Sequence, residues 1–317
     1  LTIPKTNFTF ICMNQQVFLD QAFFQNKFTA FSEAKISIAT HSLHYGTAAF
    51  GGLRGLINPS SPNQIFLFRL EDHCQRLSDS AKFLNYKLEP SFIQQKIIQF
   101  IQANKPKKDF YIRPLIYTSD LGISPRIHNL QKDLLIYGIE LGDYLDPEGI
   151  SCRFSSWQRQ ADHSFPLRGK ISGAYITSSL AKTEAVTSGF DESIMLNSQG
   201  KVCEATGMNL FLVRNGQLIT PSVDQDILEG ITRRSVLQIA KNLNIKITER
   251  MVDKSELLIA SEVFLTGTAA KITPVKKIEN YSLPKDKPIT AKLKQELTNI
   301  TLNKNKDYQN WVKVVEI

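Results

Sequence analysis

An α+β fold in two domains is what this sequence predicts, on three observations. The chain has 317 residues, 42% of them hydrophobic, enough to fill more than one core. Strand-length apolar runs, such as 134–137, are interspersed with segments whose apolar residues recur every three or four positions. A Gly-, Asp- and Pro-rich stretch at 142–149 interrupts the strand pattern near the middle of the chain. These place a small N-terminal α+β domain at 1–141, an interdomain loop at 142–152 and a larger C-terminal domain at 153–317.

The first domain opens with two short strands, 8–13 and 16–19, around a turn near Asn14. After a strand at 65–68, Leu70, His73, Leu77, Ala81 and Leu84 mark one buried face of a helix. Ser91 can cap a second helix carrying Phe92, Ile93, Ile97, Ile98 and Ile101, and strands follow at 110–117 and 133–141. Pro114 within the first of these argues for a sheet edge or a bulge there.

The second domain reads as a strand at 152–157, a helix at 174–187 and two hairpins. One pairs 193–196 with 202–205 across Asn197 to Gly200; the other pairs 209–213 with 217–220 across Asn215-Gly216. A helix from Ile231, strands at 245–251 and 262–265, and a helix from Thr290 complete it. Two successive hairpins predict an antiparallel or mixed sheet.

Composition excludes several classes. No apolar run approaches the ~20 residues of a membrane span, and no low-complexity segment or solenoid period occurs. The amino terminus lacks a basic region followed by a small-residue cleavage site, so a cytoplasmic location is expected. The four cysteines are far apart, without metal-ligand or disulfide spacing, and His41 and His44 lack further ligands, so no metal is expected. A net charge of +8 comes from dispersed lysines without interleaved aromatics, which suits an anionic small molecule rather than nucleic acid. No Walker A loop, dinucleotide fingerprint or nucleophile elbow is present.

Five features could carry chemistry. Gly230, Ile231 and Thr232 open an amphipathic helix, offering amides and a hydroxyl to an anion, or else forming a glycine turn capped by Thr232. The run Thr266-Gly267-Thr268-Ala269-Ala270 follows a strand and lets amides approach a ligand, or is a plain turn. Lys170, flanked by glycines ahead of a helix, becomes a nucleophile only if its pKa falls from ~10.4. Glu204 in an apolar strand is either an outward-facing strand residue or, if it faces inward, needs a partner, for instance a cationic ring nitrogen. Arg113, likewise in an apolar strand, can grip a carboxylate in bidentate fashion or serve an internal ion pair.

In order along the chain, Ser42-Leu43-His44-Tyr45-Gly46-Thr47, Arg69-Leu70-Glu71-Asp72-His73-Cys74-Gln75-Arg76-Leu77 and Tyr111-Ile112-Arg113-Pro114 are followed by four more matching stretches. These are the run at Lys170, Glu204 with Asn209-Leu210-Phe211, Gly230-Ile231-Thr232, and Thr266 to Ala270. Together they resemble the class IV (fold type IV) pyridoxal-phosphate aminotransferases, most closely the branched-chain amino acid aminotransferases. The resemblance implies a D-amino acid aminotransferase-like fold of mixed or antiparallel sheets with flanking helices. It also implies pyridoxal 5'-phosphate between the two domains and a homodimer whose partner contributes to each pocket.

Lys170 is then the catalytic residue that holds the cofactor and moves the proton, and Glu204 holds the ring nitrogen protonated. Tyr175 supports the ring oxygen, and Arg76, Ile231, Thr232 and Thr268 bind the phosphate. The substrate α-carboxylate goes to Thr268 and Ala269, and Tyr45, Phe50, Tyr111 and Arg113 shape the side-chain pocket. The implied reaction moves the amino group of leucine, isoleucine or valine to 2-oxoglutarate, with no part for nucleic acid or membrane.

Three positions depart from the family pattern: Gly51 for a usual Glu, Met208 for a usual Glu, and Leu141 where some members carry Trp. D-amino acid transamination, aminodeoxychorismate lyase chemistry in the same fold, and a noncatalytic binding protein stay as alternatives.

Overall fold

The computed structural model describes residues 16–142, 145–146 and 148–317; the strand expected at 8–13 and the turn near Asn14 lie outside them. The first unit contains strands β1 (Gln21–Phe24), β2 (Lys27–Ala30), β3 (Ala48–Phe50), β4 (Leu53–Asn58), β5 (Ser61–Phe68), β6 (Phe110–Thr118) and β7 (Lys132–Glu140). Its helices are α1 (His41–Tyr45), α2 (Leu70–Lys82) and α3 (Pro90–Asn104). The second unit contains β8 (Ile150–Phe154), α4 (Tyr175–Thr187), β9 (Glu192–Leu196), β10 (Val202–Ala205), β11 (Asn209–Arg214), β12 (Gln217–Pro221), α5 (Ile231–Asn242) and β13 (Ile247–Arg250). It continues through α6 (Lys254–Leu258), β14 (Glu262–Gly267), β15 (Lys271–Ile278), β16 (Tyr281–Ser282), α7 (Pro288–Thr301) and β17 (Val312–Glu316).

The first sheet runs β17-β5-β4-β6-β7-β1-β2, with β3 also beside β6, and its pairings are antiparallel. β6 shows how alternation places the site. Phe110, Ile112 and Ile116 point into a core shared with Leu77 of α2 and Ile97 of α3, so Tyr111, Arg113 and Leu115 must point the other way. Pro114 sits in an interior strand, not at an edge. Its carbonyl accepts from Gly51 N at 2.8 Å, where β3 gives way to β4, so its missing N–H falls in a gap of the ladder and costs no bond there.

The second sheet runs β10-β9-β8-β15-β14-β11-β12-β13, and a further β10–β11 pairing closes six of its strands into a ring. It is mixed, with β8–β9, β8–β15 and β12–β13 parallel. Leu210, Leu212, Val263 and Leu265 fill the ring, while the alternate residues Phe211, Val213 and Phe264 pack outward with Val236 and Ile239 of α5 and Leu293 of α7. Phe211 and Phe264 stack with ring centres 5.0 Å apart.

Three local expectations change. Residues 16–19 form only an isolated bridge, Phe18 to Ile139, because Val17 and Phe18 stay exposed and only Leu19 is buried. α3 begins at Pro90, which needs no N–H at the first helical position, so Ser91 lies inside the helix and does not cap it. β17 returns from the C-terminal end of the chain to pair with β5, so the first sheet draws a strand from beyond residue 153. Among the described residues no helix is long and apolar enough to cross a membrane.

Candidate active site

A cavity of about 440 Å³ lies between the two units, a volume suited to a cofactor with a small substrate. Phe50, Arg76, Tyr111, Arg113, Lys170, Tyr175, Ile231, Thr232, Thr268 and Ala269 all line it. It therefore gathers residues from β3, α2, β6, the loop before α4, the start of α5 and the β14–β15 turn.

The chain at Lys170 is stitched to the first unit. Its N–H donates to Ser80 Oγ at 3.0 Å, its carbonyl accepts from Phe50 N at 3.0 Å, and Ile171 bridges Ala49. Lys170 Nζ bonds the Tyr175 hydroxyl and lies 4.7 Å from the Phe50 ring centre. Burial holds the amine well below the usual lysine range, and the positive charges of Arg76 and Arg113 push it further down, against Glu204. This is the condition the sequence required for a nucleophile. Burial also pushes the Tyr175 phenol up to about 12, so it remains a proton donor.

Glu204 is 5% exposed, so the outward-facing alternative fails. Arg159 pairs with Oε1 at 2.8 Å, while Asn209 Nδ2 at 2.8 Å and Leu228 N at 3.1 Å both donate to Oε2. Burial raises the carboxyl pKa, and Arg159 and the Leu228 N–H oppose the rise. Glu204 does not itself line the cavity; it stands behind Asn209 and Leu228, which do. Asn209 also donates to Leu228 O at 2.8 Å. Gly230 makes room for that amide, since a Cβ there would lie 1.9 Å from Asn209 Oδ1. Sequence reasoning assigned no role to Asn209 and missed Arg159, which sits in a polar loop with no periodicity to flag it.

The opposite end presents donors of the kind that suit an anion. α5 starts at Gly230 with no side-chain cap, so Thr232 does not spend its hydroxyl as one, and the first amides of the helix open on the cavity. Beside them Arg76 makes no ion pair among the described residues. Asp72, one turn earlier on α2, is held instead by Arg69 and Arg234. The third wall is the turn after β14. Among the described residues the amides of Thr268, Ala269 and Ala270 have no hydrogen-bond acceptor, and Thr266 Oγ1 is buried without a partner.

Arg113 lies over the Phe50 and Tyr111 rings, 4.5 and 5.3 Å from their centres, and its Nε is buried without a partner. Among the described residues no ion pair occupies it, so the alternative of an internal ion pair does not hold there. Tyr45 is not brought to the cavity of its own chain. It ends the short helix α1, 36% exposed, with its hydroxyl donating to Ile123 O. The nearby histidines have structural partners: His41 bonds Thr47 Oγ1 and Ser124 O, and His44 bonds Ile38 O.

Of the three departures, Gly51 backs onto Pro114, whose Cγ would lie 2.9 Å from an added Cβ. Met208 is a buried part of the cavity wall, and Leu141 is outside it, its carbonyl accepting from Arg54. Gly51 and Met208 each stand where the family pattern has a carboxylate, but none of the three departures falls on Lys170, Glu204, Arg76 or the start of α5.

The family model for Amino-transferase class IV matches residues 59–278. A probable branched-chain-amino-acid aminotransferase from Synechocystis sp. is 64% identical over 93% of this chain and 97% of its own length. A branched-chain aminotransferase from the thermophilic archaeon Thermoproteus uzoniensis, solved with norvaline, superposes with a TM-score of 0.89 at 36% identity, covering 94% of this chain and 99% of that one. The branched-chain amino acid aminotransferase from Thermobaculum terrenum, solved in its PLP-bound holo-form, also gives 0.89, at 31% identity, covering 95% of this chain and 100% of that one.

Proposed function

The chain belongs to the class IV aminotransferases, and we propose that it transfers the amino group of leucine, isoleucine or valine to 2-oxoglutarate, giving branched 2-oxo acids and glutamate. The observation that carries this is a desolvated amine, Lys170, in one cavity with Arg76 and the start of α5, with the buried carboxylate of Glu204 behind the Asn209 and Leu228 wall.

Pyridoxal 5'-phosphate fits those features: Arg76, with no ion pair among the described residues, and the uncapped start of α5 suit the phosphate, Lys170 the aldehyde, and Glu204, behind the Asn209 and Leu228 wall, the ring nitrogen. When bound, that cofactor supplies a carbonyl that accepts the substrate amine and a ring that delocalises the electron pair left at the α carbon. Ile231, Thr232 and Thr268 complete the phosphate grip, and Tyr175 donates to the ring oxygen. With cofactor and substrate bound, the uncharged Nζ of Lys170 would be the base that takes the proton from the substrate α carbon and the acid that gives it back. Phe50 and Tyr111 keep water from that amine.

The substrate α-carboxylate rests on the free amides of Thr268 and Ala269. Phe50, Leu115 and Met208 accept an aliphatic side chain, while Arg113, stacked on Phe50, takes the second carboxylate of glutamate. Replacing Arg113 with methionine is therefore expected to raise the KM for glutamate or 2-oxoglutarate about 10- to 100-fold, the range of one charged hydrogen bond. The kcat/KM for leucine should change by less than about threefold. Steady-state kinetics with both donors decide this, and wild-type activity confined to D-alanine or to aminodeoxychorismate would overturn the substrate reading.

The working unit is a homodimer. Ile38, Leu43, Leu121 and Ile123 expose 87, 61, 63 and 89% of their surface on one patch, tied together by a Thr40–Leu121 bridge. Tyr45 lies in this patch, so dimerisation is the route by which it reaches a cavity, that of the other protomer. Ile123→Glu should yield monomers by light scattering with depressed activity; a wild-type monomer of full activity excludes the dimer. The buried free thiols of Cys74, Cys152 and Cys203 fit work in the reducing cytoplasm.

A further inference from the structure

Arg54 faces away from the first unit's core. On β4 its neighbour Leu53 points under α2 and α3, so alternation turns Arg54, paired in register with Tyr111, toward the second unit. There it is 7% exposed. Nη1 donates to Ala269 O at 3.1 Å, and Nη2 donates to Leu141 O at 2.9 Å and Gly142 O at 3.4 Å. One guanidinium thus ties three pieces of chain: a strand of the first sheet, the exit from β7, and the β14–β15 turn of the second unit.

The bond to Ala269 O has a directional consequence. A peptide unit is planar, and in its trans form the carbonyl and the following N–H point in opposite directions. Holding Ala269 O toward Arg54 therefore aims the Ala270 N–H away from Arg54, and Ala270 lines the cavity. Thr273 Oγ1 pins the next carbonyl, Ala270 O, at 2.9 Å. The turn is clamped from behind while its amides stay free in front, and a charged donor on the carbonyl strengthens the N–H of the same peptide.

We propose that Arg54 is a positioning residue for carboxylate recognition: by fixing the 268–270 turn it sets the amide array on which the substrate α-carboxylate rests. The inference depends on the reading above that this turn takes that carboxylate. Lysine is not equivalent here, because its donors radiate from one nitrogen and lack the planar fork whose two Nη atoms reach carbonyls on separate pieces of chain.

The test compares 4-methylvaleric acid with its uncharged amide as competitive ligands of the cofactor-loaded enzyme. Wild type should prefer the acid by tenfold or more. Arg54→Gln should lose most of that preference, with amide affinity within about twofold of wild type and cofactor occupancy unchanged. In turnover, KM for leucine should rise more than kcat falls. Should Arg54→Gln fail to fold, Arg54→Lys is read on the same ratio. An acid preference kept by the variant overturns the role of Arg54 alone. Its absence from wild type overturns the carboxylate reading of the turn, and with it the positioning role.

Discussion

Lys170→Ala should fold, retain the anion grip on the cofactor and lose amino transfer by at least about 10⁴-fold in kcat/KM, the upper range for a positioned proton carrier. Folding should survive because the setting disfavours the amine's charge on balance: burial and the nearby arginines outweigh the attraction of Glu204, and only the bond to Tyr175 is lost. Arg76 and the start of α5 do not depend on it, so cofactor should still bind without a covalent link. Borohydride treatment, which fixes cofactor to protein in the wild type, should fix none in the variant. Persistence of a reduced adduct would assign the amine to another lysine. The depressed pKa gives a second check, since an amine-reactive reagent at neutral pH should modify Lys170 of the cofactor-free protein ahead of the surface lysines.

How far such a site can be read from sequence depended on whether its signal was local. The face of α2 was legible because Leu70, His73, Leu77 and Ala81 repeat at helical spacing and are all buried. The Asn215-Gly216 turn was legible because both residues must adopt positive φ in a two-residue hairpin, and they do, at 51° and 71°. By contrast β3 and most of β4 are buried on both faces, which erases the alternation that marks a strand, and Gly51 and Gly52 lie between them. β15 carries Lys271, Lys276 and Lys277 and reads as a solvated loop. β17 was missed because its partner, β5, lies some 250 residues earlier, beyond the reach of any window.

The same division runs through the site. Lys170, Glu204 and Thr232 sit in short recognisable runs, and the resemblance carried their roles. Arg159 and Arg54 act through contacts with chain 45 and 215 residues away, Glu204 and Ala269 respectively, and nothing beside them in sequence announces it. Tyr45 shows the limit of matching in another way, since the motif is present but the fold of one chain leaves it on the surface.

Glu204→Gln separates chemistry from architecture at the other end of the site. The wild-type carboxylate accepts from Arg159, Asn209 and Leu228. A glutamine keeps the shape but places an NH₂ among donors, and it leaves Arg159, whose side chain is 7% exposed, with an uncompensated charge. Breaking a buried pair from one side costs about 3–5 kcal/mol, so the single variant should melt earlier. Activity should fall about 10²- to 10³-fold, the usual effect of removing one preorganised electrostatic group from a reacting centre. Loss of stability alone cannot be credited with that fall, and the double variant Glu204→Gln/Arg159→Met tells the two apart. Removing the orphaned charge should restore most of the melting temperature. If Glu204 serves the ring nitrogen, activity stays low in the double variant, because the glutamine at 204 offers that nitrogen no negative partner. Recovery of kcat together with stability would reduce Glu204 to a structural ion-pair member and move the search for the ring's partner elsewhere in the cavity.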